Sequence, residues 1–294
     1  MTRRQAALLL AAAPLAACGE GEEGERRPLE GTLEWAIAGP WRVEPERDRS
    51  RHPYDTLRFW GLEPGMSVLE IYPGLGWWSS ILAPYLRHSA GRLIVAEWPA
   101  EGASASQRET MAAFRTRFAD ARTFGEIGHT ALSATSGPLT APGTMDFVLV
   151  SRNVHTFMAG GFAEKAFRDF AAALKPGGLL GVEQHRAIST GVQDPLARNG
   201  YVQEAYVKAL ADEAGFDFVA ASDVNANPND DREHPFGVWT LPPTLRTSPL
   251  GTPPDPAFDT APYVAIGESD RMTLKFRKRG GDAPDAEEEE EEPS

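Results

Sequence analysis

Two carboxylates, two glycines and two histidines fall where a binding cleft could use them. Glu70 lies near the end of an apolar run, Ser67-Val68-Leu69-Glu70-Ile71. The chain then passes through Tyr72-Pro73-Gly74-Leu75-Gly76-Trp77-Trp78 into a helix-like segment from Ser79 to Leu86. A glycine-bearing loop between a strand and a helix is where α/β sheets seat nucleotide-like cofactors. Gly74 and Gly76 remove side chains where a ligand must come close to the backbone, and Glu70 offers an acceptor beside them. A second acid, Glu97, stands twenty-one residues beyond Gly76 and ends the apolar run from Gly91. There it either accepts two hydrogen bonds from a ribose diol or simply terminates a strand. His155 and His185 each follow a further apolar run, and either could take a proton from a substrate or position it. Glu183 shares a strand face with His185 by alternation and could orient it. Hydrogen bonds to loop backbone are an equally open role for both histidines. A divalent ion held by His155, His185 and Glu183 is a further option, although the chain has no close-spaced ligand motif.

Alternating strands and helices must position these groups. Residues 33–60 read as helical entry structure, and within them Arg47-Asp48-Arg49-Ser50-Arg51-His52-Pro53 concentrates charge. That segment is either a surface turn, with Asp48 capping or pairing locally, or a lid in which Arg51 or His52 holds a carboxylate. Ser104 to Asp120 reads as a helix with Met111, Phe114 and Phe118 on one face, and a weakly marked third strand is placed at Arg122 to Ile127. Met145 to Ser151 gives the fourth strand, Phe162 to Leu174 a helix, and Leu179 to His185 the fifth strand after Lys175-Pro176-Gly177-Gly178. Tyr201 to Ala214 is a further helix with Gly215 as its C-cap, and Phe216 to Ser222 a sixth strand. The Pro-rich stretch from Asn227 to Pro262 is read as a cover or insertion. Arg271 to Arg277 alternates as a half-exposed last strand. The alternation predicts a doubly wound α/β sheet.

The acid followed by a short Gly-x-Gly resembles the first motif of the class I S-adenosylmethionine (SAM)-dependent methyltransferases, with Tyr72 in place of the usual first glycine. A dinucleotide fingerprint would carry its third glycine where Ser79 stands, which disfavours a nicotinamide oxidoreductase. Glu97, the Asp146-led strand and Leu174-Lys175-Pro176-Gly177-Gly178 follow in the same family order. Arg51-His52-Pro53, Arg152-Asn153-Val154-His155 and Ser269 to Arg277 resemble an exported bacterial branch of that family. The resemblance spans 33–279 and implies a Rossmann-like seven-stranded sheet, mostly parallel with an antiparallel last strand. It also implies that Glu70, Gly74 and Gly76 line the methionine end of SAM, that Glu97 holds its ribose, and that the strands ending at His155 and His185 are neighbours. Tyr72 is expected to turn away, toward the lid. The expected activity is methyl transfer to a small-molecule or envelope acceptor. The alternative is a non-catalytic, membrane-tethered protein that binds SAM or a related ligand, since SAM is made in the cytoplasm and the leader directs the chain outward.

That leader is 1–18: Arg3-Arg4, an apolar run from Ala6 to Leu15, then Leu15-Ala16-Ala17-Cys18. It is too short to span a bilayer and reads as a lipoprotein-type signal peptide, with Cys18 the lipidated mature N-terminus facing the periplasm. Cys18 is the only cysteine, so the chain has neither an internal disulfide nor a thiolate metal site. Residues 19–32 read as a flexible tether and 280–294 as a disordered acidic tail. The tail carries −8 of the −13 net charge and leaves −5 to the rest, with no basic stripe for nucleic acid.

Overall fold

The computed structural model describes residues 27–280, so the leader with Cys18 and the tail beyond Gly280 lie outside the described residues. Three short helices, α1 (Leu33–Ile37), α2 (Asp48–Arg51) and α3 (Pro53–Trp60), precede β1 (Ser67–Ile71). There follow α4 (Ser79–His88), β2 (Arg92–Glu97), α5 (Ala105–Arg117), α6 (Ala121–Phe124), β3 (Gly128–Ala131) and β4 (Met145–Ser151). The second half comprises α7 (Val154–Ala159), α8 (Ala163–Ala173), β5 (Leu174–His185), α9 (Glu204–Glu213), β6 (Phe216–Ser222), α10 (Ala261–Ile266) and β7 (Arg271–Lys278). The strands form one seven-stranded sheet in the order β3-β2-β1-β4-β5-β7-β6. β1 to β5 are parallel, and β7 runs antiparallel to both β5 and β6. This is the expected Rossmann-like α/β fold.

Successive strand residues point to opposite faces, and a sheet covered on both faces needs apolar side chains at both. Val68, Val95, Phe147 and Leu149 accordingly pack with Trp60, Ile81, Leu82 and Phe114 on one side. Leu69, Val148, Val182 and Leu274 meet Phe157, Phe167, Phe170 and Val207 on the other. Gly181 lets α3 close on the sheet, because a Cβ there would lie 2.6 Å from Trp60 Cδ2. The Trp60 indole then donates to the Leu274 carbonyl at 3.0 Å. Anchored in this way, the α2–α3 segment covers β5 and β7 and brings Arg51 to the carboxyl ends of the strands.

Two expectations are corrected. The stretch expected as the third strand holds α6, capped by Asp120, which accepts from the Arg122 N–H and the Thr123 hydroxyl. β3 begins only at Gly128, pairs with β2 alone and has no fully buried residue, so it lacks the apolar run of a central strand. The last strand is not half-exposed. β7 inserts between β5 and β6, Arg271 to Leu274 are buried, and the edge falls to β6. No helix among the described residues is long and apolar enough to cross a membrane.

Candidate functional site

The loop between β1 and α4 turns through the left-handed region at Tyr72, Gly74 and Gly76, with φ of 49°, 58° and 86°. The two glycines serve different ends. Gly74 lines a cavity, and a Cβ built there meets nothing within 4 Å. At Gly76 a Cβ would sit 2.2 Å from Phe118 Cε2, so this missing side chain makes room for a buried ring rather than for a ligand. Glu70 lies beneath the loop, away from the cavities, and accepts from the Ser79 hydroxyl at 2.5 Å. Burial pushes its carboxyl up to about 7, opposed by that hydrogen bond.

Two cavities open over the carboxyl ends of the strands. The larger, about 760 Å³, lies beyond β2 and β3 against α7, with Trp98, Gln107, Ser133, Ser136 and Phe162 in its wall. The smaller, about 460 Å³, is lined by Gly74, Arg51, Arg152, His155, His185 and Trp239. Tyr72 and Trp98 border both. Their rings stack at 4.9 Å and 26°, and the Tyr72 hydroxyl donates to the Leu132 carbonyl at 2.7 Å. Tyr72 therefore does not turn away toward the lid; it forms the wall between the cavities. Trp239, Pro242 and Pro243 close the smaller cavity from the Pro-rich stretch, as expected of a cover.

Glu97 is buried beside Trp98, just outside these two cavities. Its Oε2 accepts from Arg115 Nη2 and meets His129 Nδ1, both at 2.8 Å. Its Oε1 is buried without a partner. A buried carboxylate oxygen lacking a donor is costly and marks a place where a ligand hydroxyl would fit. His129 and Arg115 had no role assigned from sequence. Correct placement of β3 beside β2 would have shown the histidine, because its strand neighbour Val95 lies two residues from Glu97.

His155 and His185 come together, with ring centroids 5.6 Å apart. The Gln184 amide has one allowed orientation, since its oxygen accepts from the Val154 N–H and its nitrogen donates to the Gly200 carbonyl. That nitrogen lies 3.2 Å from His155 Nδ1. Nδ1 therefore accepts, and the neutral ring carries its proton on Nε2. Burial lowers His155 to about 4. Burial, with His155 and Arg152 nearby, also holds His185 well below its ordinary value, and its Nδ1 lies 2.6 Å from the Ser269 hydroxyl. Glu183 does not orient His185. One oxygen accepts from Ser151 at 2.6 Å, and the other pairs with Arg271 Nε at 2.9 Å. Nor do His155, His185 and Glu183 converge on an ion site. Among the described residues the one such cluster is Asp230, Asp231 and His234, where Asp230 is already satisfied by Tyr201, Arg232 N–H and Asp270 N–H.

The charged segment ahead of β1 pairs locally and also reaches the cleft. Asp48 pairs with Arg42 at 2.6 Å, and Arg51 enters the smaller cavity while His52 turns to Asn225. Arg47 and Arg51 share Glu268, at 2.7 and 3.2 Å, and the Arg51 guanidinium lies 4.7 Å from the Trp77 ring centroid. Burial, then the neighbouring Arg152 charge, lowers Arg51 to about 8. Burial opposes ionisation of Glu268, but Arg51 and Arg271 hold its carboxyl well below the usual range. Arg152, Ser269 and Glu268 complete this wall; sequence reasoning gave them no role, because the residues they stand beside in the cavity lie far away in the chain.

No family model and no curated protein sequence matches the chain. Among solved structures it is similar to the [4+2]-cyclase SpnF, at 16% identity and a TM-score of 0.53, covering 83% of this chain and 85% of that one. It is also similar to a candidate sarcosine dimethylglycine methyltransferase from Galdieria sulphuraria, at 14% identity and 0.50, covering 80% and 87%. At these identities the likeness carries the methyltransferase-type fold, not the reaction.

Proposed function

We propose that the chain is a SAM-dependent methyltransferase acting on a small molecule. One observation carries this reading: in a sheet of this type, cavities of about 760 and 460 Å³ adjoin across Tyr72 and Trp98 at the carboxyl ends of the strands, the smaller of them over the Gly74 backbone. The residues fit the cofactor. Glu97 Oε1 is an acceptor in want of a donor and suits the ribose, and Gly74 leaves the backbone open to close approach. SAM supplies a methyl group activated on a sulfonium, so the protein's work is alignment, exclusion of water and management of the acceptor's proton. Glu70 and Gly76 hold the loop in shape from below. His155, with its proton on Nε2, is suited to donate a hydrogen bond. His185 is the candidate base: in the tautomer that donates Nδ1–H to the Ser269 hydroxyl, its Nε2 lone pair is free to take a proton. The leader ending at Cys18 would tether this domain to the cell envelope by lipid, and loss of lipid labelling in Cys18→Ala checks that part.

Calorimetric titration of the purified protein with SAM, S-adenosylhomocysteine and NAD tests the reading. The expected result is binding of the first two and none of NAD. Binding of NAD without SAM would sink it.

A further inference from the structure

The smaller cavity carries more positive charge than its own carboxylates balance. Three guanidiniums, of Arg47, Arg51 and Arg152, line it with two carboxylates, of Glu44 and Glu268, and behind them the Arg271–Glu183 pair adds one charge of each sign. Glu268 is divided among Arg47, Arg51 and Arg271, and Glu183 pairs with Arg271. Arg152 has no direct partner: among the described residues its side chain makes no hydrogen bond or ion pair, its Nε is buried without a partner, and burial outweighs the more distant charges of Glu183 and Glu268. Arg51, with a side chain only 1% exposed, has both Nη1 and Nη2 buried and unpartnered. A buried cation without a counter-charge is unfavourable, and a guanidinium with both terminal nitrogens free matches a carboxylate edge-on. The neutral His155 and His185 add no charge. The imbalance is a single charge, which fits a monoanion rather than a phosphate dianion. Trp77, Val238, Trp239, Pro242 and Pro243 supply an apolar wall beside it. These donors lie on the β4–β5–β7 side with His185 and Ser269, whereas Glu97 and the larger cavity lie on the β2–β3 side.

We propose that Arg51 and Arg152 bind the carboxylate of an apolar small-molecule ligand. In the methyltransferase reading, on which this role rests, that ligand is the methyl acceptor. The test is titration of the full chain with benzoate and with its neutral counterpart benzamide, followed by calorimetry. Benzoate is expected to bind at least tenfold more tightly. Arg152→Gln should remove that preference and leave benzamide unaffected, and Arg152→Lys should restore part of it. Because Arg152 has no partner, the substitution breaks no ion pair, and an undiminished thermal midpoint shows that the fold is kept. Equal binding of benzoate and benzamide, or an Arg152→Gln protein that keeps the preference, overturns the proposal. So does inorganic phosphate displacing benzoate at equal concentration. A further arm saturates the protein with S-adenosylhomocysteine or with 5′-methylthioadenosine, which lacks the amino-acid carboxylate. Benzoate affinity unchanged under both supports an acceptor site. Benzoate displaced by S-adenosylhomocysteine alone assigns the arginines to the cofactor and overturns the acceptor role. Retained benzoate binding in a protein that binds neither nucleoside removes the methyltransferase reading and leaves the carboxylate site standing.

Discussion

Alanine at each loop glycine separates a residue the fold needs from one the ligand needs. In Gly76→Ala the backbone stays in the left-handed region at φ 86°, which costs an L side chain about 1–2 kcal/mol. The new methyl also falls 2.2 and 2.5 Å from Phe118 Cε2 and Cζ, with Phe114 Cε2 at 3.1 Å. Both rings are buried, so they must shift inside a packed cluster, an overpacking cost of about 1–3 kcal/mol. The total is about 2–5 kcal/mol. In Gly74→Ala, φ is 58° and the methyl meets nothing, so only the backbone cost of about 1 kcal/mol remains. That methyl, however, is added in open space on the lining of the smaller cavity. Urea denaturation gives the stability of each variant, and titration with S-adenosylhomocysteine at a denaturant-free temperature where both are folded gives affinity. Gly76→Ala should lose stability and keep affinity; Gly74→Ala should lose affinity and keep most of its stability. The reasoning is refuted if Gly76→Ala stays within about 0.5 kcal/mol of the parent, the range of an ordinary surface change, or if Gly74→Ala binds as tightly as the parent.

Three further outcomes follow from buried titratable groups. The Glu70 carboxyl is raised from an ordinary 4.5 to about 7 in the fold, so stability falls as pH rises through that window, by about 3 kcal/mol at about 1.4 kcal/mol per pH unit. Glu70→Gln keeps an acceptor for Ser79, and should match the parent near pH 4 and exceed it in stability at pH 8; parallel pH profiles would dispose of this account. His155 is lowered from 6.5 to about 4, so its contribution is intact above pH 6.5 and is lost as pH falls toward 4. Its imidazole resonance should not titrate between pH 8 and 5, and a midpoint near 6.5 would contradict the burial argument. Glu97→Gln should weaken S-adenosylhomocysteine and 5′-methylthioadenosine by the same factor, tenfold or more, because both present a ribose to a charged acceptor. An unchanged affinity for both removes the ribose role.

The central strands were legible because burial on both faces demands long apolar runs: Val68 to Ile71, Leu93 to Ala96 and Phe147 to Val150 announce themselves. β3 did not, since an edge strand of Gly128, His129, Thr130 and Ala131 carries no such run. β7 misled by alternation, which usually means one wet face. Here the alternate residues Arg271 and Thr273 are polar but buried, bonded to Glu183 and Asn225. The site divided in the same way. Local charge density flagged Arg51, and a strand-ending acid flagged Glu97. What Gly76 and Glu70 do depends on Phe118 and on the packing around Ser79, and what Arg152 does depends on an ion-pair count drawn from residues 44 to 271. Spacing along the chain does not encode such sums.

Tyr72 makes this site more than an instance of its fold. A side chain at φ 49° is uncommon for any residue but glycine, and this one is held by a stacked indole and a carbonyl on the far side of the cleft. The result is two chambers of opposite character. One lies near an acid with a spare oxygen and suits a hydroxyl-rich ligand; the other presents spare guanidinium donors and suits an acid. A cyclase and a candidate methyltransferase share the sheet, so the sheet does not choose the reaction. The chambers can choose the ligands, because an acceptor at one end and donors at the other discriminate by charge before any shape is matched. Neutralising one end should then cost binding at that end alone, and the Tyr72–Trp98 wall is the element through which any coupling between the two would have to pass.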